Sequence, residues 1–266
     1  NDFADNLHDG TAMYYRVGGI SGWTQNYIEN CNNLKGGTIT CTGNIHQCDE
    51  SIYSVCIGGL VGYKTVSEVC DSHNDADVIS KINMTTNEGY ALGDVRLNIG
   101  GITGYNHLAC SNITNNGTVS VEGNLAGQLR LGGVCGHSNG VSTNLPVSDN
   151  CVNNGNITVT DTCKDKTGAE HMGTGGSDAA GFFGYVGGSG NAGWYKAWGC
   201  TNNGDITGQY RVSGIFGYVY ASGSTAFADV QFCQNNGNLI FGRTAEIKEG
   251  TIPYDYCGPF IAYTNS

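Results

Sequence analysis

The chain has 266 residues, of which 39% are hydrophobic and only 13% are charged, and its net charge is −11. So little charge excludes a typical disordered segment, and 12 Lys plus Arg against 23 Asp plus Glu disfavour a nucleic-acid-binding or anionic-membrane-binding surface. With 43 glycines, 3 prolines and no Gly-X-Y period, the chain is not a collagen. The common residues are Gly, Asn, Thr, Val, Ile and Tyr. They are typical of strands and turns, and they predict an all-β protein.

The twelve cysteines favour a secreted protein over a cytosolic one. A cytosolic chain so rich in cysteine should carry CxxC metal-binding pairs, and the sequence has none. It also has no apolar run long enough to cross a bilayer. Because the chain begins with Asn1 and not with Met, we expect a processed form or an excised piece, with any targeting segment outside it. The expected location is therefore extracellular or at the cell surface.

In chain order, the first recognisable element is YYRV, followed by a glycine phrase, GGISGW, that begins at Gly18. The glycine phrase returns as GGLVGY, GGITGY, GGVCGH, AGFFGY, SGIFGY and, in a degenerate form, GPFIAY, which begin at Gly58, Gly100, Gly132, Ala180, Ser213 and Gly258. A second phrase alternates with it and reads CVNNGNITV at Cys151, CTNNGDITG at Cys200 and CQNNGNLIF at Cys233. Looser forms of the second phrase begin at Cys31, Cys70 and Cys110. Strict alternation with a period of about 40 residues indicates an internal repeat.

Each repeat contains three strand-like pieces: xxRV-GGIxGY, the segment entering Cys-x-Asn, and GxITV. Each piece has too few apolar residues to close a core, so similar units must stack. We predict a parallel β-helix of about six coils, with residues 1–16 as an N-terminal cap or first strand, 17–263 as the solenoid and 264–266 as a tail. Asn and Gly suit the left-handed corners of such coils, and stacked asparagines can form hydrogen-bonded ladders.

The repeat predicts a role for most of the cysteines. Equivalent residues on neighbouring coils lie about 4.8 Å apart, which is too far for unstrained disulfides. We therefore expect a core ladder of free thiols at the motif cysteines Cys31, Cys70, Cys110, Cys151, Cys200 and Cys233. Cys41 and Cys48 flank a short loop and can form a disulfide as a hairpin staple.

The combination of GGLVGY with Cys-x-Asn-x-Gly-x-Ile resembles the GLUG-type repeat of bacterial secreted and surface proteins. The resemblance covers Val17 to Tyr263. It implies an extracellular, cell-surface β-solenoid and implies no catalytic activity. The chain departs from the pattern at GPFIAY, where Pro259 and Ala262 replace two glycines, which is consistent with a capping coil.

Two positions that recur in the repeats are candidates for ligand contact. Arginine precedes the glycine phrase in four repeats, and on a strand between apolar neighbours it should face outward, where it can contact an anionic glycan or pair with the acidic surface. These arginines are Arg16, Arg96, Arg130 and Arg211. The aromatic residue that ends the glycine phrase can form a ladder that either binds sugar rings or belongs to the core, and His137 occupies this position in GGVCGH as a packing substitute.

The remaining candidates are sites of modification and of metal binding. Asn-x-Ser/Thr sequons occur at Asn83, Asn112, Asn116 and Asn156, and they are glycosylated only if the source organism does so. The run DSHNDAD, from Asp71 to Asp77, can offer oxygen ligands to Ca²⁺, although Asp-rich and Asn-rich turns are common without metal.

The resulting hypothesis is a non-catalytic extracellular or cell-surface rod that is structural or adhesive. Its expected partners are itself or neighbouring repeat domains end to end, and glycans or a host surface; we expect no cofactor, nucleic acid or membrane insertion. Two alternatives stay open, namely a β-helical carbohydrate-active enzyme (a polysaccharide lyase or a glycosidase) and a self-assembling filament subunit.

Overall fold

The protein is described here by a computed structural model. The structure describes residues 2–6, 13–47, 53–65, 67–86, 95–107, 109–123, 128–139, 148–159, 177–187, 194–220, 227–241 and 256–265. The regular elements in this part of the chain are all β-strands, and every pair of neighbouring strands is parallel. The predicted parallel β-helix is therefore confirmed.

The strands form four sheets, and three of these contain seven strands each. Sheet A consists of β1 (Asp2–Asn6), β6 (Thr38–Gln47), β10 (Asp77–Thr86), β14 (Val119–Val121), β19 (Ile157–Val159), β24 (Ile206–Gly208) and β29 (Leu239–Phe241). Sheet B consists of β2 (Met13–Gly18), β7 (Tyr53–Gly58), β11 (Val95–Gly100), β15 (Gln128–Gly132), β20 (Ser177–Ala180), β25 (Arg211–Ser213) and β30 (Tyr256–Gly258). Sheet C consists of β3 (Ser21–Thr24), β8 (Val61–Lys64), β12 (Thr103–Asn106), β16 (Cys135–Ser138), β21 (Phe183–Val186), β26 (Phe216–Tyr220) and β31 (Ile261–Asn265).

The fourth sheet, D, has six levels, because the chain passes through it once between each strand of sheet C and the next strand of sheet A. Its strands are β4 (Ile28–Glu29), β5 (Asn32–Asn33), β9 (Val69–Asn74), β13 (Cys110–Asn115), β17 (Ser148–Asp149), β18 (Val152–Asn153), β22 (Trp194–Trp198), β23 (Thr201–Asn202), β27 (Phe227–Gln231) and β28 (Gln234–Asn235). One turn therefore runs A, B, C, D. The described residues make six complete turns, as predicted, and an incomplete seventh.

The structure changes two details of the predicted repeat. The piece xxRV-GGIxGY is not one strand: β7 ends at Gly58 and β8 begins at Val61, so the glycine pair is a corner between sheets B and C. Strand β1 lies in the segment 1–16, where a cap or first strand is predicted, and it pairs with β6. Strand β31 continues to Asn265, inside the segment 264–266 that is predicted as a tail.

The interior is divided into two apolar cores. One lies between sheets A and B and contains residues such as Val55, Ile57 and Leu97, and the other lies between sheets C and D and contains residues such as Leu60 and Ile102. Leu60 and Ile102 directly follow the glycine pair of their repeats and are fully buried.

Glycines bring sheets B and C into backbone contact at the boundary between the two cores. A Cβ atom on Gly104, in strand β12, would lie 2.5 Å from the backbone nitrogen of Ile57 in strand β7, and Gly62 meets Val17 in the same way. Real Cβ atoms essentially never approach so closely, so only glycine fits at these positions. This close approach brings side chains on the outer faces of sheets B and C together.

A buried column of asparagines explains why Asn-Asn-Gly recurs. The first asparagine of the phrase donates from Nδ2 to the Oδ1 of its equivalent in the next turn, over 3.0 Å from Asn74 to Asn115, 2.9 Å to Asn153, 2.7 Å to Asn202 and 2.7 Å to Asn235. Each of these amides also donates to a backbone carbonyl two residues later. The predicted asparagine ladder is therefore present, and its hydrogen bonds fix the register of successive turns.

The residue three positions before each ladder asparagine forms a left-handed corner. These residues have φ between 48° and 61° and are Asn30, Asp71, Asn112, Asn150, Gly199 and Phe232. Asn, Asp and Gly tolerate this conformation best. The residue that follows the corner lies two positions before the ladder asparagine, at the position of Cys31, Ser72, Ile113, Cys151, Cys200 and Cys233.

The predicted ladder of six cysteines is therefore wrong at two positions. Cys110 pairs with Val69 and Ser148, and Cys70 pairs with Glu29 and Ser111. The reason is that the corner and the asparagine, and not the cysteine, set the register of the phrase. Cys31, Cys151, Cys200 and Cys233 share one position, and all six motif cysteines are free thiols.

Cys41 is also a free thiol and is completely buried, and this burial raises its pKa to about 11. A free thiol at Cys41 contradicts the predicted disulfide between Cys41 and Cys48, although Cys48 itself lies outside the described residues.

Candidate functional site

Three of the four candidate arginines lie in one column on the outer face of sheet B. At successive turns this column contains Arg16, Cys56, Asn98, Arg130, Asp178, Arg211 and Tyr256. Arg96 was assigned to the same position, and that assignment is wrong, because Arg96 pairs with Ser54 and Gln128. It precedes its glycine pair by four residues, whereas Arg130 precedes its own by two, so Asn98 takes the column position in that turn.

The aromatic residues of the glycine phrase form a second column, on sheet C. Tyr63 and Tyr105 are stacked with ring centroids 4.6 Å apart, and Tyr185 and Tyr218 meet edge to face at 5.2 Å. His137 lies between Tyr105 and Tyr185, 4.5 Å and 4.8 Å from their rings. The prediction that His137 replaces an aromatic ring in the packing is confirmed.

The arginine and aromatic columns contact each other. The guanidinium carbon lies over a tyrosine ring in three turns, at 4.3 Å for Arg16 over Tyr63, 3.8 Å for Arg130 over Tyr185 and 4.1 Å for Arg211 over Tyr218. Such cation–π contacts contribute on the order of 0.5–2 kcal/mol each, and more as water is removed. Arg130 and Arg211 are accordingly only 5% and 9% exposed, so the predicted outward-facing arginines are largely covered by rings.

Arg211 also forms an ion pair with a buried carboxylate. Its Nε lies 2.8 Å from Oδ1 of Asp178, which occupies the preceding position in the arginine column. Burial raises the pKa of Asp178 to about 6, and the nearby guanidinium groups of Arg211 and Arg130 oppose that rise. At this turn the arginine therefore pairs with a buried carboxylate, whereas pairing with the acidic surface was expected.

A cavity of about 400 Å³ opens where the two columns meet. It is lined by Arg96 and Arg130 from sheet B, by His137 and the half-buried rings of Tyr105, Tyr185 and Tyr220 from sheet C, and by polar groups at its rim. Among the described residues that line it, none is acidic. We call this cavity the arginine–tyrosine groove.

Hydrogen bonds hold Arg130 and His137 in fixed orientations in the groove. Arg130 donates from Nη1 to Nδ1 of His137 over 2.8 Å and from Nη2 to Oε1 of Gln128 over 2.6 Å. Because a guanidinium can only donate, His137 must accept at Nδ1, and its protonated Nε2 donates to the carbonyl of Gly187 over 3.0 Å. Burial, and then the charge of Arg130, hold the pKa of His137 well below its ordinary value, so the imidazole is neutral.

The four sequon asparagines are all exposed. Two belong to surface ladders: Asn112 donates to Asp71 over 2.9 Å, and Asn116 donates to Asp75 over 2.6 Å. Asn83 donates to Asn44 over 3.0 Å, and Asn156 accepts from the backbone nitrogen of Asp205. Their glycosylation stays a prediction.

The carboxylates of the DSHNDAD run do not converge on one point. Asp71 and Asp75 accept from asparagines of two different ladders, and Asp77 accepts from the backbone nitrogen of Thr118. In the described part of the chain, one group has the spacing of metal ligands: Glu29, Cys70 and Asp71, whose ligand atoms lie within 4.8 Å of one another at the surface. Exposed acidic groups are common without a metal, and this set lacks the many oxygen ligands that Ca²⁺ prefers.

Comparison with known proteins identifies no relative, because no protein-family model, curated protein or solved structure matches this chain. The resemblance to the GLUG-type repeat therefore rests on the sequence phrases alone. No helix in the described residues is long and apolar enough to cross a membrane.

Proposed function

We propose that this chain is a non-catalytic structural rod of the extracellular space or cell surface, and that its two ends bind copies of itself. The extracellular part of this proposal is supported by the resemblance of the repeat phrases to those of secreted and surface proteins. The self-association is supported chiefly by one observation, the position of the exposed apolar side chains.

Among the described residues, the exposed large hydrophobic side chains all lie in the first turn or at the last level of their sheets. Those of the first turn are Tyr14, Ile20, Trp23, Tyr27 and Leu34. Those at the last level are Phe232, which follows β27 in sheet D, and Ile240, Phe241 and Phe260 in the incomplete seventh turn. Ile20 and Phe260 are 47% and 38% exposed, whereas their equivalents in the turns between are completely buried. Exposed apolar surface of this kind marks an interaction site.

The asparagine column reaches both ends of the described solenoid. At each inner turn the ladder asparagine donates to its equivalent in the next turn, and Asn235, the last described member, accepts from Asn202 and donates to the carbonyl of Gly237. At the other end Asn33 has the same position in the first turn, and its Nδ2 donates to the carbonyl of Gly59 over 3.1 Å. A further turn stacked on either end would therefore continue the column.

The partner that best fits both ends is a second copy of this chain. Its first turn carries the same arginine, aromatic and asparagine columns that the last turn ends with, so the columns continue across the junction. Contact between two different ends is a heterologous interface, and such interfaces form open filaments when the rotation does not close. Among the described strands, those at the two ends of each sheet have a neighbour on one side only, which strengthens the same tendency.

Light scattering on size-separated samples over a range of concentrations tests the proposal. The wild-type chain should increase in mass without reaching a fixed size, and Ile20→Lys and Phe260→Lys should each arrest this growth. Ile79→Lys is the matched control, because Ile79 lies half-buried on the outer face of sheet A in the middle of the rod. A monomeric wild type, or association that neither end variant changes, would contradict the proposal.

The carboxylates of the DSHNDAD run do not support the alternative of a β-helical glycosidase. Glycosidases of the common kind place two carboxyl groups across the scissile bond, whereas the acidic side chains of Asp71, Asp75 and Asp77 are engaged in separate contacts along the surface.

A further inference from the structure

We propose that the arginine–tyrosine groove binds a carboxylated saccharide, with the carboxylate at Arg96 and Arg130 and the sugar ring against a tyrosine. This inference does not depend on the association of the ends, because the groove lies in the middle turns of the rod.

The groove has the size and position of a ligand site. Its volume of about 400 Å³ lies within the range of small-molecule sites. It is formed by the outer faces of sheets B and C, which the backbone contact at Gly104 and Gly136 holds together. The walls therefore belong to the rigid body of the solenoid.

The charge of the groove points to an anionic ligand. Arg96 and Arg130 both line it, and its described lining residues include no carboxylate. The nearby carboxylate of Asp178 lies outside the lining, forms an ion pair with Arg211 and interacts electrostatically with Arg130. Burial lowers the pKa of Arg130 only to about 10, so its guanidinium remains charged at neutral pH.

The arginines favour a carboxylate in particular. A guanidinium presents five N–H donors in a planar fork that matches the two oxygens of a carboxylate. Two donors of Arg130 are used by His137 and Gln128, which orient the group and leave other N–H donors for a ligand. The groove therefore contains an oriented guanidinium and not a mobile surface charge.

The aromatic walls favour a saccharide over a simple anion. Tyr105, Tyr185 and Tyr220 are half-buried, so part of each ring faces the groove. Sugar rings carry apolar C–H faces that pack on aromatic rings, while their hydroxyls need polar partners at the edge. Gln128 and Asn139 supply amide groups that can both donate and accept at the rim.

Calorimetric titration tests this inference. The probes are oligogalacturonate and sialyllactose, two sources of a carboxylated sugar, and the methyl ester of oligogalacturonate, which keeps the sugar and removes the charge. The titrated protein is the Ile20→Lys variant, which we expect not to associate end to end. The binding result is therefore independent of self-association. We expect saturable binding of at least one acid probe and at least tenfold weaker binding of the ester.

Two variants and one control locate the site. Arg96→Gln and Tyr220→Ala should each weaken binding of the acid probe at least tenfold. Lys81→Gln removes the same charge from an exposed position on sheet A, where Lys81 pairs with Glu122 at 3.2 Å, and it should leave binding unchanged. Binding that Arg96→Gln leaves unchanged, equal binding of the ester, or no binding of either acid probe would overturn the inference.

Discussion

The guanidinium carbon of Arg130 lies 3.8 Å from the centre of the Tyr185 ring, although Arg130 belongs to one turn of the solenoid and Tyr185 to the next. The contact joins sheet B to sheet C as well as one turn to another. It exists because the glycine of each phrase lets the two sheets meet backbone to backbone. The same glycines therefore determine both the packing of the rod and the position of the groove.

Replacement of a glycine at this meeting point should strongly destabilise the fold. A Cβ on Gly104 would lie 2.5 Å from the backbone of Ile57, which cannot move without breaking the sheet. We expect Gly104→Ala to lower the free energy of unfolding by about 2–4 kcal/mol, in the range of severe overpacking. Urea denaturation followed by circular dichroism measures this.

Gly37→Ala is the control for that measurement. A Cβ there would meet only ordinary contacts at 3.5 Å and beyond. Its effect should stay within about 0.5 kcal/mol, as at most surface positions. Equal effects of the two variants would show that close contact between sheets B and C is not what requires glycine.

Replacing an asparagine by alanine should lower the free energy of unfolding more in the buried ladder than in the exposed ladder. Asn153→Ala removes the acceptor of Asn115 and the donor to Asn202 and to the Gly155 carbonyl, all of them buried. Leaving such groups unpaired should lower the free energy of unfolding by about 2–4 kcal/mol. The neighbouring variant Asn154→Ala breaks equivalent bonds in the exposed ladder, where water replaces them, and should cost about 1 kcal/mol or less. Similar losses in the two variants would contradict the account of the register.

His137 should make the protein less stable in mild acid. Its pKa is held well below 6.5 in the folded state, while in the unfolded chain it returns to about that value. Below about pH 6.5 His137 therefore binds more protons in the unfolded chain than in the folded one, so its contribution to the free energy of unfolding falls as the pH falls. Asp178, whose pKa burial raises to about 6, contributes in the opposite direction.

His137→Gln removes this proton-linked contribution and keeps an amide oxygen that can accept from Arg130. The difference in stability between wild type and variant, measured by denaturation from pH 7 to pH 5, should change with pH in the direction that disfavours the wild type in acid. Parallel curves for the two proteins would mean that His137 is not kept neutral by the fold.

The cysteines should differ widely in their reactivity towards an alkylating reagent. Cys110 and Cys200 are fully buried, whereas Cys257 is exposed. Burial raises the pKa of Cys110, and hydrogen bonding with Cys151, followed by burial, raises the pKa of Cys200. We expect Cys257 to be alkylated first in the native protein, and Cys110 and Cys200 only on unfolding. Peptide mapping by mass spectrometry reads this directly, and rapid labelling of Cys110 would contradict the buried assignment.

Much of the fold could be predicted because the repeat phrases encode it locally. The glycine pair, the apolar residue after it and the Asn-Asn-Gly corner each have one physical function in every turn, so their recurrence was sufficient to predict a parallel β-helix. The errors arose where a conspicuous residue is not the one that sets the register. Cys110 and Arg96 were aligned by residue type, whereas the left-handed corner and the distance to the glycine pair decide which position each occupies.

The groove could not be predicted, although its components were recognised. The arginines and the aromatic residues were treated as two separate surfaces because GGIxGY was taken as one strand. The corner at the glycine pair folds the two outer faces towards each other, and only this bend brings Arg130 and Tyr185 into contact. The sequence feature that indicates this bend is the glycine pair, which separates the arginine position from the aromatic position in each repeat.

The most direct test of the rod is to mix its two end variants. Ile20→Lys keeps an intact last turn and Phe260→Lys keeps an intact first turn, so each alone should be monomeric. In an equimolar mixture measured by sedimentation velocity, the account predicts a single new species with the mass of a dimer and no larger assembly. A mixture that remains monomeric, while the wild type still associates, would contradict head-to-tail stacking of the solenoid.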